Sequence, residues 1–348
     1  VRDGEWLLGY SSYNAYPGAS LTFGRESSGI YCLSEPDIAF ADMDLADASL
    51  PGEDGVRMGR DYQRNATVTF ELGVDGSRGP IDLHWPRRPW TNGDRVGDWT
   101  AVEEVAARTF KKDQGVHLWG LDGLNMLRQV WRADSIRAGA GRVGWLMHTT
   151  AGRTRQFYGR PRKFAVSHSR LSRQGYTPVV AQFEAVDDRF YDATEKEATV
   201  YDHRILGGLP PRPGRGSSGS WLFQSKKTAA VQQAGTLNTY PYVEIHGPCK
   251  NPKLSLSDQW AVQLSMTIDA GDHVTIDARP WVRTVTHYDG ATSKGSVADK
   301  LTRASPRLAQ MFIPPGYWTM SLSYTKSAAH LPTGPLIRMA WRDAYGWW

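Results

Sequence analysis

A few patterns in the chain carry the residue types that chemistry uses. Gly214-x-Gly216-x-x-Gly219 matches the dinucleotide fingerprint by letters. That fingerprint needs a strand before it and a helix after it, so that the pyrophosphate meets a helix N-terminus. Here Pro211 and Pro213 precede it and the strand-like Trp221-Leu222-Phe223 follows, so the glycines read as linker. Asp42-x-Asp44-x-x-Asp47 gathers carboxylates in an acidic, turn-rich stretch with Glu35, Asp37, Glu53 and Asp54. A calcium loop needs a glycine at its tight turn, the sixth position, and Asp47 stands there. The stretch reads as a solvated loop or a charged subunit contact. Asp187-Asp188 is the obvious carboxylate pair for glycoside hydrolysis. Adjacent residues on a strand point to opposite faces, so the two are not expected to face one sugar. The histidines, at 84, 117, 148, 168, 203, 246, 273, 287 and 330, stand singly with no metal-binding pair, although His246, His273 and His287 could approach one another in a sandwich. The Gly-x-Ser-x-Gly elbow of a serine hydrolase is absent. Cys32 and Cys249 show neither zinc spacing nor a disulfide framework, and read as free thiols of a reducing compartment. No catalytic residue, cofactor-binding residue or metal ligand is assigned. No cofactor and no enzymatic activity are expected.

The aromatics are the remaining outliers, with 14 Trp and 15 Tyr. Such side chains stack on sugars and anchor interfaces. Trp260, Trp281 and Trp318 are the candidates for sugar stacking, although Trp318 sits in the apolar register of its strand and reads as core. The C-terminal Trp341-Arg342-Asp343-Ala344-Tyr345-Gly346-Trp347-Trp348 reads as an interface element or as a strand folded back on its own sheet.

These residues must be positioned by a β-rich scaffold. A chain of 348 residues suggests two domains. With Gly 35 and Pro 20, many short strands joined by turns fit better than helical bundles. The net charge is +5, with 30 Arg against 11 Lys. Arginine's planar fork suits interfaces, and a GC-rich genome produces the same bias. The positive charges are scattered among 36 acidic residues, apart from one dense stretch between Arg153 and Arg173 that is interleaved with apolar strand residues. Nucleic-acid binding is therefore not expected. No run of about 18 apolar residues and no signal-peptide pattern occurs, so neither membrane insertion nor classical export is expected. Val1 fits an alternative start codon or trimming equally well.

The Gly/Pro-rich run 207–220 cannot hold regular structure and reads as a linker between a first domain at 1–206 and a second at 221–348. The second reads as strands throughout. Val243 and Ile245, then Val262, Leu264, Met266 and Ile268, then Val274, Ile276 and Ala278 alternate with polar residues. Val282 and Val285, then Trp318, Met320, Leu322 and Tyr324, then Ile337, Met339 and Trp341 continue the pattern. Half-buried strands need a second sheet to cover them, which predicts an antiparallel sandwich or jelly roll. The first domain is mixed, a β-barrel-like or sandwich core with one or two helices. Val68, Phe70, Leu72 and Val74 form a strand, and others are expected at 164–166 and 179–183. Thr100 and Glu103 resemble a capping box. A second helix is expected from near Asp122, with Leu124, Leu127 and Trp131 on one face and its end at Gly139–Gly141.

Several segments resemble the distal tail proteins of siphophages. Ala234 to Pro252, AGTLNTYPYVEIHGPCKNP, resembles the stretch that opens the family's galectin-like C-terminal jelly roll. Gly271 to Asp277, and Ile313-Pro314-Pro315-Gly316 followed by Ser321 to Tyr324, resemble its later strands. Ala181 to Tyr191 resembles the end of its N-terminal domain, with Asp188 where the family has proline. Trp131 to Asp134, Gly159 to Arg162 and Gly59 to Asp61 look like segments of minor tail proteins of actinobacterial phages. The resemblance implies a split-barrel-like N-terminal domain. It also implies a structural virion protein at the tail tip, assembled in the host cytoplasm. Its N-terminal domains would form a hexameric ring and its C-terminal domains would project outward. Contacts with the tail tube protein, the tape-measure protein and tail-associated lysin or fibre proteins are implied as well. A carbohydrate-binding module for host-surface recognition is the alternative. A head-to-tail ring needs two complementary patches on each subunit. The acidic stretch 35–54 and the basic stretch 153–173 have opposite signs, which makes Arg153, Arg155 and Arg160 the positions where charge reversal should break such a ring.

Overall fold

The computed structural model describes residues 1–14, 16–40, 43–45, 47–49, 56–59, 63–78, 112–205, 222–325 and 335–347. It divides into two units, Val1–Ala193 with Trp347–Trp348, and Thr194–Gly346. Both are built from strands, as the alternation predicts.

The first unit runs β1 (Trp6–Tyr10), β2 (Ala19–Phe23), β3 (Ile30–Cys32), β4 (Asp37–Phe40), β5 (Ala48–Ser49), β6 (Val56–Arg57) and β7 (Ala66–Asp75). Helix α1 (Lys112–Arg132) and the single turn α2 (Asp134–Arg137) follow, then β8 (Gly144–Thr150), β9 (Arg153–Val166), β10 (Tyr176–Ala185) and β11 (Phe190–Asp192). Apart from β5 and β6, which pair with each other as a separate ribbon, the strands form one antiparallel sheet in the order β2-β1-β8-β9-β10-β7-β3, with β4 also on β7 and β11 on β9. Beyond the end of β2, Gly24 donates to the Ile30 carbonyl at 2.9 Å and accepts from the Cys32 N–H at 3.2 Å. These bonds join the two ends of the path and nearly close the sheet into a barrel. Closure removes unpaired edges, which otherwise invite aggregation.

Period-two alternation fills the interior. Val68, Phe70, Leu72 and Val74 of β7 are buried, opposite Val179, Ala181 and Phe183 of β10. Helix α1 covers this face with Leu127, Val130 and Trp131. The Trp131 ring meets Phe70 edge-on at 6.0 Å, and its indole N–H donates to the Gln182 carbonyl at 3.1 Å. Near its middle the helix approaches β10 closely at Gly120, where a Cβ would press on the Gly175 carbonyl. The helix begins earlier than its apolar face suggested. It also stops earlier, at Ala133 rather than at the glycines, because Ala133 adopts the left-handed conformation (φ 50°, ψ 48°). The Thr100–Glu103 capping box lies outside the described residues.

The second unit contains β12 (Lys196–Ile205), β13 (Leu222–Lys226), β14 (Thr228–Gln233), β15 (Tyr242–His246), β16 (Cys249–Leu256), β17 (Trp260–Gln263) and β18 (Thr267–Ile268). It continues with β19 (Asp272–Asp277), β20 (Thr284–Asp289), β21 (Thr292–Ser296), β22 (Gly316–Thr325), β23 (Leu336–Trp341) and β24 (Ala344–Tyr345). Two antiparallel sheets pack as a sandwich, β13-β12-β23-β15-β19-β20-β21 against β14-β22-β16-β17 with β18 on β16. Val243, Ile245, Val274, Ile276, Ile337 and Met339 from the first sheet share one core with Leu254, Leu256, Val262, Met320 and Leu322 from the second.

Three details differ from the sequence expectation. Strand β12 was expected in the first domain, but its Lys196–Tyr201 part pairs with β23 (Ala198 opposite Met339, Val200 opposite Ile337) and the strand belongs to the sandwich. The division therefore falls at Ala193/Thr194, and the run 207–220 lies outside the described residues. The alternation from Val262 to Ile268 is not one strand, because the ladder breaks between β17 and β18. Val282 is exposed and precedes β20, which leaves only Val285 of that pair in the core.

Gly247 joins β15 to β16 where a Cβ would collide with the Ile268 and Asp269 carbonyls. Overpacking against backbone has no easy relief. Gly247→Ala is expected to destabilise the second unit by about 2 kcal/mol or more, read as a lowered midpoint in denaturant titration. An unchanged midpoint would contradict this packing.

Candidate functional site

Two surfaces among the described residues gather charged and aromatic side chains. On the second unit, the outer face of the larger sheet carries rows of polar and aromatic side chains fixed by strand register. His246 pairs with His273, and His273 with Tyr288. The imidazoles stack at 5.1 Å, and the His273 ring lies parallel to Tyr288 at 4.9 Å. In the next row Glu244 lies between Arg338 and Thr275. Arg338 bonds Glu197 at 2.8 Å, and Tyr242 donates to Glu244 at 3.0 Å. Arg279 grips Asp277 and lies over the Tyr242 and Trp281 rings at 5.5 and 5.8 Å.

The sequence placed His246, His273 and His287 as a possible group. The fold brings the first two together. His287 lies on the other face of β20 and bonds Asp272 at 2.9 Å, where Lys294 also reaches at 3.0 Å. Among the described residues no group of three His, Cys, Asp or Glu side chains could hold a metal ion. Of the tryptophans, Trp260 is core, its indole N–H bonded to the Phe312 carbonyl at 2.7 Å. Trp318 and Trp281 are both half-buried, Trp318 against the same core. Register, which a sequence without strand pairing does not give, is what assembles this face.

On the first unit a groove of about 440 Å³ opens between the end of α1, the turn α2 and the end of β9. Arg128, Arg132, Arg137 and Arg162 ring it, over a floor of Phe164, Val166 and Trp131. Arg132 holds Asp134 at 2.9 Å and Arg162 holds Glu184 at 2.7 Å. Arg137 donates to the Arg132 carbonyl at 3.3 Å. Nearby, Arg160 is held below its ordinary pKa by burial and by the like charges of Arg162 and Arg137.

This arrangement corrects the expected basic patch. Arg155 is buried, and Arg160 donates to the Arg142 and Gly139 carbonyls at 2.6 and 2.8 Å. Alternation along β9 turns Arg155 inward, whereas Arg160, on the opposite face, is held by those two carbonyls. The outward cations come partly from the helix, two elements away in sequence.

The other expected positions are structural. Asp187 and Asp188 lie on a bend, not a strand. Asp187 is buried and accepts from the Tyr191 hydroxyl at 2.6 Å, and burial raises its pKa. Asp44 pairs with Arg64 at 3.3 Å and Asp47 accepts from the Gly59 N–H at 2.9 Å, while Asp42 lies outside the described residues. So do Gly214, Gly216, Gly219, His84 and His330. Cys32 and Cys249 are free, in different units, and burial pushes their thiols up to about 11 and about 12.

The fold class is thus a two-unit β protein, a nearly closed barrel crossed by a helix and a sandwich. No family model matches the sequence, and no curated protein matches it. Among solved structures the chain is similar to the SPP1 Dit protein, described as a paradigm of the hub adsorption apparatus of phages infecting Gram-positive bacteria. The identity is 10%, over 90% of this chain and 91% of that one, with a TM-score of 0.43. It is also similar to a chain of the phage P2 baseplate in its activated conformation with calcium, at 10% identity over 97% of both chains and a TM-score of 0.49. The strontium form of that baseplate gives 9% identity over 97% of both chains, again with a TM-score of 0.49.

Burial first, then the neighbouring His246, lowers the His273 pKa below 6.5, against the pull of Glu244 and Asp272. His246→Gln removes one lowering cause, so the His273 titration followed by NMR should move to higher pH. No movement would show that the two rings are not coupled.

Proposed function

We propose that this chain is a non-enzymatic structural subunit of a phage tail tip, a distal tail or baseplate hub protein. It builds a ring from its first units and joins the tail tube to tape-measure, lysin and fibre proteins at the virion tip. One observation carries the reading. The segments that resemble distal tail proteins fall, in order, on the elements where such segments do structural work. Ala181 to Tyr191 spans β10 and β11 at the end of the first unit. Ala234 to Pro252 leads from β14 through β15 into β16, and contains the obligatory Gly247. Gly271 to Asp277 covers β19, and Ser321 to Tyr324 lies in β22. The charged and aromatic surfaces of both units suit extensive contacts, which arginine, tyrosine and tryptophan dominate.

A second reading, a carbohydrate-binding module, is favoured by the row His246, His273 and Tyr288 on the open sheet face. Stacked rings flanked by carboxylate and guanidinium groups suit a sugar. A glycan array separates the two readings. Specific binding lost in Tyr288→Ala supports recognition of a host glycan, and an empty array leaves the scaffold.

The hub reading predicts rings of about six 38.8 kDa subunits by light scattering and negative-stain imaging of the same peak. A compact dimer that does not close into a ring would contradict it.

A further inference from the structure

The acidic arm of the first unit has the composition that the arginine groove lacks. From Glu26 to Val56 the sequence has eight carboxylates and neither Lys nor Arg. Within this stretch Glu35, Asp37, Asp44 and Asp47 are exposed. Met43 and Leu45 alternate with them and are also exposed, at 58% and 63%. They give the arm two aliphatic side chains that an apolar floor could take up.

The groove has the opposite character. Its four guanidinium groups face two carboxylates, Asp134 and Glu184, and among the described residues Arg128 has no acidic partner. The balance of these groups is 4 − 2, or +2. The C-terminus of α1 offsets only about half a charge. Phe164 and Val166 at the floor are half-buried and give apolar side chains a place to rest. Planar guanidinium groups around such a floor suit a peptide with alternating carboxylates and aliphatic side chains.

A chain cannot seat its own Asp37 there while β4 stays paired. Strand β4 lies on β7, and β10 separates β7 from β9, so three strand spacings, about 14 Å, lie between β4 and β9. The arm's described bonds go elsewhere, from Asp44 to Arg64 and from Asp47 to the Gly59 N–H.

We infer that the acidic arm of one copy, through Glu35, Asp37, Met43, Asp44, Leu45 and Asp47, docks into the Arg128/Arg132/Arg137/Arg162 groove of a second copy. The two patches differ, and both are on the first unit, so the contact runs head to tail and closes into a ring when the rotation permits. The inference rests on the ring-forming reading above and assigns its seam.

The test uses the full chain and two reversed variants, Arg128→Glu with Arg162→Glu, and Glu35→Lys with Asp37→Lys. All four positions are exposed, so folding is spared, and circular dichroism checks it. Each variant alone should weaken self-association by about tenfold or more. Mixing the two should restore it, because each reversed groove then meets a reversed arm. Undiminished association of both variants would overturn the seam and leave the hub reading standing. If the wild-type chain is monomeric, a synthetic Leu33–Asp47 peptide is titrated onto it. Binding that the Arg128→Glu, Arg162→Glu variant loses keeps the contact and counts against ring formation in solution. A peptide that does not bind overturns the contact itself.

Discussion

An antiparallel sheet with one apolar face must find a cover for that face, and both units are answers to this requirement. In the first, the sheet curls until Gly24 bonds Ile30 and Cys32, and α1 lies across what remains. In the second, a second sheet supplies the cover, and the two share one core. The constraint also explains what is left outside. Once each interior is sealed, the outward residues of every strand are free of packing duty, and there the charged and aromatic surfaces lie.

Much of this was legible in the sequence because period-two alternation is a local signal. Val68 to Val74, Val243 and Ile245, and Ile337 to Trp341 all fall in the expected registers. What misled the reading was non-local. Strand β12 sits just before a Gly/Pro run that looks like a boundary, yet its partner β23 is more than a hundred residues away. Ala133 ends α1 in a left-handed conformation that alanine does not advertise, ahead of the glycines that looked like the stop. The break between β17 and β18 is invisible in an unbroken apolar pattern.

The candidate surfaces were less legible for the same reason. The imidazole pair was foreseen as a possibility, but its membership depended on register: one residue decides that Tyr288, not His287, faces His273. The basic run 153–173 looked like one patch, whereas alternation along β9 buries Arg155, and the Arg142 and Gly139 carbonyls hold Arg160 on the other face. The groove draws Arg128, Arg132 and Arg137 from a helical region and only Arg162 from the run. Charge counted along a sequence is not charge on a face until the strands and helices that present it are known.

The proposed role requires the first unit to assemble with itself. Cryo-electron microscopy of the purified, self-associated full chain tests it most directly. The account predicts a closed ring whose subunit seams run through first units, with α1 and β9 of one copy facing the β4 edge of the next, and with the sandwiches free of the seam. A particle held together through the sandwiches, or an open filament of any seam, would contradict it.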